Sequence, residues 1–477
     1  MTALLRWKKI LIGQFILLIL LSASCAVYKP ITSIKPTESL PDSFSEGPAL
    51  PPIDCWWEQF ENSELEQFID EALSGNLTLK MAWSRLDQAR QLAKIAGAGS
   101  YPGLDSGFST QQSDFRGSLP PGSVKRIRDF SVTMTLSYQV DLWKKIKNSR
   151  LSAVLDFEAG REDLEATALA ITSGVAELWA SLAEQDAYLQ LLEEQLEVAE
   201  SYLELVEARF GRGLSSAVDV YQQRLHVENI KEQFPVTRMQ QKLLKNQLAL
   251  LLGKQPTADI YLAGSELPMI KGLPPMGIPA EILRDRPDVR AAELRLFAAD
   301  HRVATAVADR FPSISFSVTG GSQAGTVSNL FEQWFTNLAG NIMAPLFDAG
   351  RRKAEVKRNQ AVVRERFYQW EAVLLNAFSE VEDALAGEEG LSETYSSTIK
   401  QVELARRTLD RSRALYVNGL TDYLTVLTSL QSLQNLQRVE INTRKSLLSN
   451  RIKLHSALGG SWTGTLIEPQ NNLNTSD

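Results

Sequence analysis

The sequence predicts an α+β membrane protein built from two internal repeats, each holding a short strand pair and a long helical hairpin. Three observations predict it. The second half of the chain restates the first at an offset of about two hundred residues, which is the signature of a repeated architecture. The stretch Phe130–Leu142 alternates strictly between apolar and polar side chains. Long Pro-free segments of coiled-coil period stop at Gly213 and Gly419 and resume at once.

The chain opens with a processing segment. Arg6, Lys8 and Lys9 are followed by an apolar run from Ile10 to Leu21 and by Ser-Ala-Ser ahead of Cys25. This reads as a secretory signal, residues 1–24, too short to span a bilayer. Small residues directly before a Cys resemble the bacterial lipoprotein box, although Ser22 stands where the box carries Leu; ordinary cleavage near the same point is the alternative. Cys25 is the expected lipidation site, and Ala26, rather than Asp, follows it, which points to the outer membrane. Only Cys55 then remains, so no disulfide framework exists, and Cys55 is expected to be buried. Loss of the three signal cations moves the formal charge from −7 to −10. An acidic chain without a basic stretch argues against nucleic acid as a partner.

The repeat begins where residues 76–109 align with 286–319, matching Ala82 with Ala292, Arg85 with Arg295, Leu86 with Leu296 and Tyr101-Pro102 with Phe311-Pro312. Further on, Asp141 matches Asp348, Gly213-Leu214 matches Gly419-Leu420, and Leu252-Gly253 matches Leu458-Gly459. Each half opens with a helix, capped by Asn76 in the first and led by Pro287 and Asp288 in the second. The organisation read from this is an N-terminal lipid-anchored segment at 25–61, a first repeat at 62–275, a second at 276–460 and a flexible tail at 461–477.

Strands are expected at about 103–112, 130–142, 312–320 and 334–347, with Gly- and Pro-bearing loops at 113–129 and 321–333. The second strand exceeds the roughly 9 to 11 residues that a tilted membrane strand needs. Alternation alone leaves a sandwich strand with one wet face open. Four strands per chain are too few to close a transmembrane barrel, so a barrel would be shared among subunits. Phe115, Phe130, Trp143, Trp334 and Phe335 are expected near strand ends, where an aromatic girdle would sit.

From Lys144 to Arg212 no Pro occurs, and a helix of that length spans roughly 100 Å. Leu182, Leu189, Leu192, Leu196, Ala199, Leu203, Val206 and Phe210 form a seam in steps of three and four. Val402, Ala405, Leu409 and Tyr416 repeat it more weakly. Beyond the glycines, apolar periodicity resumes at Val218, Tyr221 and Leu225, and at Leu424, Leu427 and Leu430. The glycines therefore supply helix reversals. Leu424 to Val439 recurs every third residue, a stripe that winds round its helix and asks for apolar neighbours on more than one side.

Catalytic chemistry finds little footing. His226, His301 and His455 are far apart without metal-ligand spacing, and no phosphate loop or nucleophile motif occurs, so neither an enzyme nor a metal site is expected. Asp and Glu on the helices read as solvated faces.

Taken together, the stretch 277–293 (GIPAEILRDRPDVRAAE), WWEQF at 56–60, YQVDLW at 138–143, PLFDAGR at 345–351 and the two Gly-Leu turns resemble the outer membrane factor family, the TolC-like export ducts, in its lipoprotein branch. The likeness runs from about residue 50 to 460; Lys144 stands where the family often has Gly. The resemblance implies a homotrimer whose twelve strands form an outer-membrane barrel continued by a periplasmic helical barrel. A belt from residues near 240–285 and the chain ends would surround its middle. It implies a periplasmic adaptor docking at Gly213-Leu214-Ser215 and Gly419-Leu420-Thr421, with the turn itself as the alternative role of these residues. It also implies an inner-membrane pump of the RND type, no cofactor beyond the lipid on Cys25, and contact with outer-membrane lipid. In relatives the periplasmic gate pairs an apolar ring with aspartates. Here Leu424 matches the ring, while Thr425 and Thr428 replace the aspartates and Gln431 follows, which implies weaker cation block. The expected function is passive exit of small toxic molecules from a tripartite efflux system. The alternatives are an exit duct for ATP-driven protein secretion and a structural periplasmic coiled-coil lipoprotein.

Overall fold

The computed structural model describes residues 28–37, 55–115, 125–258, 260, 267–268, 283, 285–459 and 462–466. Cys25, the signal segment, about half of the belt stretch 240–285 and most of the tail lie outside them.

The elements are α1 (Ser63–Gly75), α2 (Leu77–Ala98), β1 (Gly103–Phe115), β2 (Lys125–Val140), α3 (Lys145–Phe210), α4 (Ala217–Leu251), α5 (Pro287–Ala308), β3 (Ser313–Ala324), β4 (Trp334–Met343), α6 (Arg351–Val417) and α7 (Tyr423–Leu458). Single 3-10 turns stand at Trp56–Phe60, Val327–Asn329 and Trp462–Thr465. Asn76 caps α2 as expected, its Oδ1 accepting from the Thr78 and Leu79 amides at 2.8 and 3.0 Å. Pro287 opens α5. The helix α1, which precedes α2, was not foreseen.

Chain contacts divide the molecule into two compact units, and each draws on both repeats. One holds residues up to 36, 86–160 and 292–370; the other holds 37–85, 161–291 and 371–477.

In the first unit the four strands form one antiparallel sheet in the order β1-β2-β3-β4. Its register gathers most of the apolar residues on one face, while Phe335 and Met343 of β4 lie on the other. Leu104 pairs with Leu136, which pairs with Val318, which pairs with Leu338; Tyr138 pairs with Phe316, and Val140 with Ile314 and through it Ile342. On the other face Ser109 meets Ser131 at 2.8 Å and Thr135 meets Thr319 at 3.2 Å. The apolar face is open: Leu104, Met134, Phe316 and Leu338 are all exposed.

The strand limits correct the sequence expectation. The β1–β2 hairpin reaches into the stretch read as loop, because Arg126 pairs with Asp114 and Arg128 with Gln112 across it, each at 3.1 Å. The second strand stops at Val140, where Asp141 turns to cap α3, accepting from the Ile146 and Lys147 amides at 3.0 and 2.7 Å. The third runs on to Ala324, and the fourth ends at Met343 rather than 347. Phe130 lies inside β2 instead of at its end. Trp143 sits past the end, donating to the Pro312 carbonyl at 2.7 Å and stacking on Phe311. Lys144 takes the left-handed conformation, φ 60°, that Gly would take without strain, and Gly350 has φ 84° at the corresponding turn.

The second unit is built on α4, α7 and the longer parts of α3 and α6. Leu182, Leu192, Ala199 and Val206 of the first seam are buried, as are Val402, Leu409 and Tyr416 of the second. At the far side from the turns, Trp56 is fully buried and stacks on His455, with ring centroids 5.6 Å apart. Cys55, expected to be buried, is partly exposed. Several acids leave the solvated faces assigned to them: Glu165 and Glu388 are buried, each ion-paired to an Arg. Apart from these, Asp300 in the first unit is fully buried and accepts hydrogen bonds from the Tyr28 hydroxyl and the Ile31 amide.

Candidate functional site

The candidate site is the end of the second unit where both hairpins reverse. The two turns are built alike. The Gly213 amide donates to the Phe210 carbonyl at 2.9 Å and the Leu214 amide to Arg209 at 2.9 Å; the Gly419 amide donates to Tyr416 at 3.0 Å and the Leu420 amide to Leu415 at 2.9 Å. This crossed pair is a Schellman closure, which needs a left-handed residue, and the glycines have φ 70° and 72°. The next helices start on side-chain caps. Ser216 and Asp219 form a reciprocal capping box, and Asp422 accepts from the Thr425 amide at 3.1 Å. Hydrogen bonds from the Thr425 hydroxyl and amide hold the Asp422 carboxyl below its ordinary value of 3.8.

Leu214 and Leu420 are 60% and 73% exposed, so each turn presents an unpaired leucine beside its glycine. Ser215 is tied to Asp219 at 2.8 Å and lies 3.3 Å from the Tyr416 hydroxyl, which brings the first turn against the second hairpin. Tyr416 is capped by the Arg209 guanidinium, 4.6 Å above its ring, and packs on Tyr423. Tyr423 is buried and donates to Gln223 Oε1 at 2.7 Å, and Gln223 donates to the Ala199 carbonyl at 2.6 Å. These contacts lock the two turns together. Sequence reading missed Gln223 and Tyr423, because nothing in a lone Gln among apolar residues marks it as a partner for a Tyr two hundred residues away.

Leu424, Thr425, Thr428 and Gln431 share the exposed side of α7, with Leu424 49% exposed, while Tyr423, Val426, Leu427 and Leu430 fill the core. The Thr425 hydroxyl donates to Asp422 at 2.7 Å, and the Thr428 hydroxyl to the Leu424 carbonyl at 2.9 Å. Both threonines are thus spent locally, and the carboxylate nearest them is Asp422.

The row Val218, Tyr221 and Leu225, where the sequence shows apolar periodicity resuming, faces outward. All three are more than 60% exposed, and Val220, Val227 and Ile230 are buried in their place. The first turn of α4 is apolar on two sides.

The stretch Arg286–Arg290 owes its character to ion pairing. Arg286 is buried, bonded to Asp288 at 3.1 and 2.8 Å, to the Ala457 carbonyl at 2.7 Å and to Glu380 at 2.8 Å. Arg290 bridges Glu162 and Glu165, and Thr463 donates to Glu165 at 3.0 Å. This knot fastens the start of α5 to the end of α7, away from the turns. Among the described residues no cluster of three or more His, Cys, Asp or Glu side chains could hold a metal ion.

The profile of the outer membrane efflux protein family matches residues 68–254 and 278–460, and the chain belongs to that family. It is 31% identical to the pyoverdine export outer membrane protein OpmQ of Pseudomonas putida, over 88% of this chain and 90% of the relative. It is 30% identical to the cation efflux system protein CusC of Escherichia coli, over 85% of this chain and 88% of that one. A crystal structure of CusC, 29% identical, superposes with a TM-score of 0.80 over 90% of this chain and 99% of its own. The probable outer membrane lipoprotein SilC of Salmonella typhimurium is 28% identical over 85% of this chain and 88% of that one. The chain is accordingly an outer-membrane efflux protein, the exit duct of an efflux system, with a sheet for the membrane and helical hairpins that extend into the periplasm.

Proposed function

We propose that three copies of the chain close one duct, that a periplasmic adaptor docks on its paired turns, and that an inner-membrane pump of the RND type drives small toxic molecules through it. The observation that carries this reading is the sheet. Its outer strands β1 and β4 have one edge each without a partner among the described residues, while its apolar face is continuous. In hydrocarbon each unpaired backbone group costs several kcal/mol, so such a sheet must close on copies of itself. Three copies supply twelve strands. The exposed row Val218, Tyr221 and Leu225 is a second face for a neighbouring copy.

The duct is passive and carries out no reaction. Gly213-Leu214-Ser215 and Gly419-Leu420-Thr421 form the adaptor contact, where the exposed leucines supply apolar anchors. Leu424 is the apolar gate, with Thr425, Thr428 and Gln431 beside it. Cys25 carries the lipid anchor. The names of OpmQ and CusC point to different cargoes, so the pump rather than the duct sets the broad substrate choice.

The test is photo-crosslinking from Thr421 in living cells with mass spectrometry of the captured protein, beside mass determination of the detergent-solubilised complex. A trimer that captures an adaptor is the expected result. Capture of an adaptor belonging to an ATP-driven protein exporter would move the cargo to proteins. A monomer that captures no adaptor while the pump is active would sink the reading.

A further inference from the structure

In the unit that carries the sheet, four helix segments stand in a row. Arg90 lies over the Phe157 ring at 5.7 Å, joining α2 to α3; His301 meets Asn148 at 2.9 Å, joining α5 to α3; and Arg352 bonds Asp309 at 3.2 Å, joining α6 to α5. The order α2-α3-α5-α6 follows that of the strands they adjoin. A recess of about 770 Å³ touches all four, from Leu92 and Ile95 on α2 to Arg358 on α6. A recess that reaches both end members of a row lies on its concave side, since on the convex side the end members diverge. In a closed ring of such rows the concave side is the lumen.

The wall of this recess is cationic. Lys145, Arg302, Arg351, Arg352 and Arg358 line it against the carboxylates of Asp156, Asp309 and Glu355. Lys145 and Arg352 share Asp309, at 2.5 and 3.2 Å; Arg302 pairs with Asp156; and Arg358 pairs with Glu355 at 2.7 Å. Asp348, outside the lining, also holds Arg352 at 3.1 Å, and counting it still leaves cations in excess. Arg351 forms no ion pair within 4 Å among the described residues, and its charge acts on Glu355 only from further off. This local excess stands in a chain whose formal charge is −7. Leu92 and Ile95, 60% and 68% exposed, place apolar surface beside the guanidinium groups.

We propose that this wall is a cationic belt of the lumen that concentrates anionic small molecules, so that the cargo of this duct includes amphiphilic organic anions bearing carboxylate, sulfonate or phosphate groups. The proposal rests on the trimeric duct, in which three walls form a ring. A ring of one charge sign between low-dielectric walls raises the local concentration of the opposite ion, and guanidinium forks match the oxygen pairs of such anions.

The test uses the full-length protein in planar bilayers under a potassium chloride gradient, with the Arg351→Gln/Arg358→Gln variant beside it. Both residues are solvent-exposed, and trimer migration on a gel checks assembly. Chloride is expected to permeate better than potassium, with the permeability ratio falling about twofold or more in the variant. Citrate is expected to block the unmodified protein more strongly than hexaamminecobalt, and the variant less. A cation-selective pore, or a ratio and citrate block that the variant leaves unchanged, overturns the belt while leaving the duct intact. Assembled trimers that never conduct overturn the duct reading itself.

Discussion

Gln195 on α3 and Gln434 on α7 exchange hydrogen bonds through the core of the helical unit. Gln195 Nε2 donates to the Gln434 carbonyl at 3.0 Å, and Gln434 Nε2 donates to the Gln195 carbonyl at 3.2 Å. Both residues are buried, and each leaves its own Oε1 without a partner. The pair fixes the register of one hairpin against the other, and the two orphan oxygens make it a device of specificity more than of stability. Replacing Gln434 by Leu removes its bond to the Gln195 carbonyl while Gln195 Nε2 keeps its bond to the Gln434 carbonyl, a loss of about 0.5 to 1.5 kcal/mol. Replacing both by Leu removes the orphans as well. Melting of the purified protein is expected to fall for Gln434→Leu, and in Gln195→Leu/Gln434→Leu by about the sum of the two single losses, because neither bond uses the other side chain; a double variant as stable as the unmodified protein would contradict this account.

The Glu388–Arg451 pair is expected to behave differently. Both partners are buried, and Asn450 adds a bond from its Nδ2 to Glu388 at 3.2 Å. Glu388→Ala strands the Arg451 charge and should cost about 3 to 5 kcal/mol. Glu388→Met/Arg451→Met is expected to restore most of it, as read by melting temperature.

At the turns, a Cβ on Gly213 or Gly419 would meet nothing within 4 Å, so only the left-handed backbone resists substitution. Gly419→Ala is expected to cost about 1 to 2 kcal/mol and Gly419→Asn less. Hydrogen exchange should quicken over residues 414–425 in the Ala variant, with exchange elsewhere unchanged.

His455 makes the helical unit acid-sensitive. Burial, with Arg451 nearby, pushes its imidazole down from 6.5 to about 3. The unfolded chain therefore binds a proton between those values that the folded chain does not, and stability is lost as pH falls below 6.5. The slope is at most about 1.4 kcal/mol per pH unit for this one group. Melting at pH 7.5 and 5.0 should differ less in His455→Phe, which keeps the stack on Trp56.

The proposed gate residues admit a gain-of-charge test. Thr425→Asp with Thr428→Asp puts carboxylates on the exposed side of α7 next to Asp422. Block of bilayer currents by hexaamminecobalt is expected to strengthen by about tenfold or more, as a ring of carboxylates should hold a trivalent cation. No change in block would remove these positions from the conduction path.

Much of the fold was legible because it rests on local pattern. The alternation of Phe130–Val140 announces a strand with one apolar and one polar face without help from the rest of the chain, and Gly213 and Gly419 mark reversals because few other residues accept their backbone angles. What stayed hidden depends on partners distant in sequence. The polar start of β2 is a strand only because Arg126 and Arg128 find Asp114 and Gln112. Glu165 and Glu388 look like surface acids until Arg290 and Arg451 arrive. The apolar row of Val218, Tyr221 and Leu225 could be seen but not assigned a side, since a helix with two apolar faces does not say which one its own chain covers. The turn residues were found, whereas the Gln223–Tyr423 bond that holds the turns together was not.

The bare edges of β1 and β4 also bear on how the protein reaches its membrane. On the proposed closure by several copies, a lone chain that entered the hydrocarbon would carry two rows of unsatisfied amides, so insertion by single chains would be barred, and the step that crosses the bilayer surface would follow or accompany encounter of several copies. Its rate should then climb more steeply than linearly with the density of chains at the membrane. Anything that confines chains to the surface beforehand acts as a catalyst of assembly, even if it contributes nothing to the finished channel.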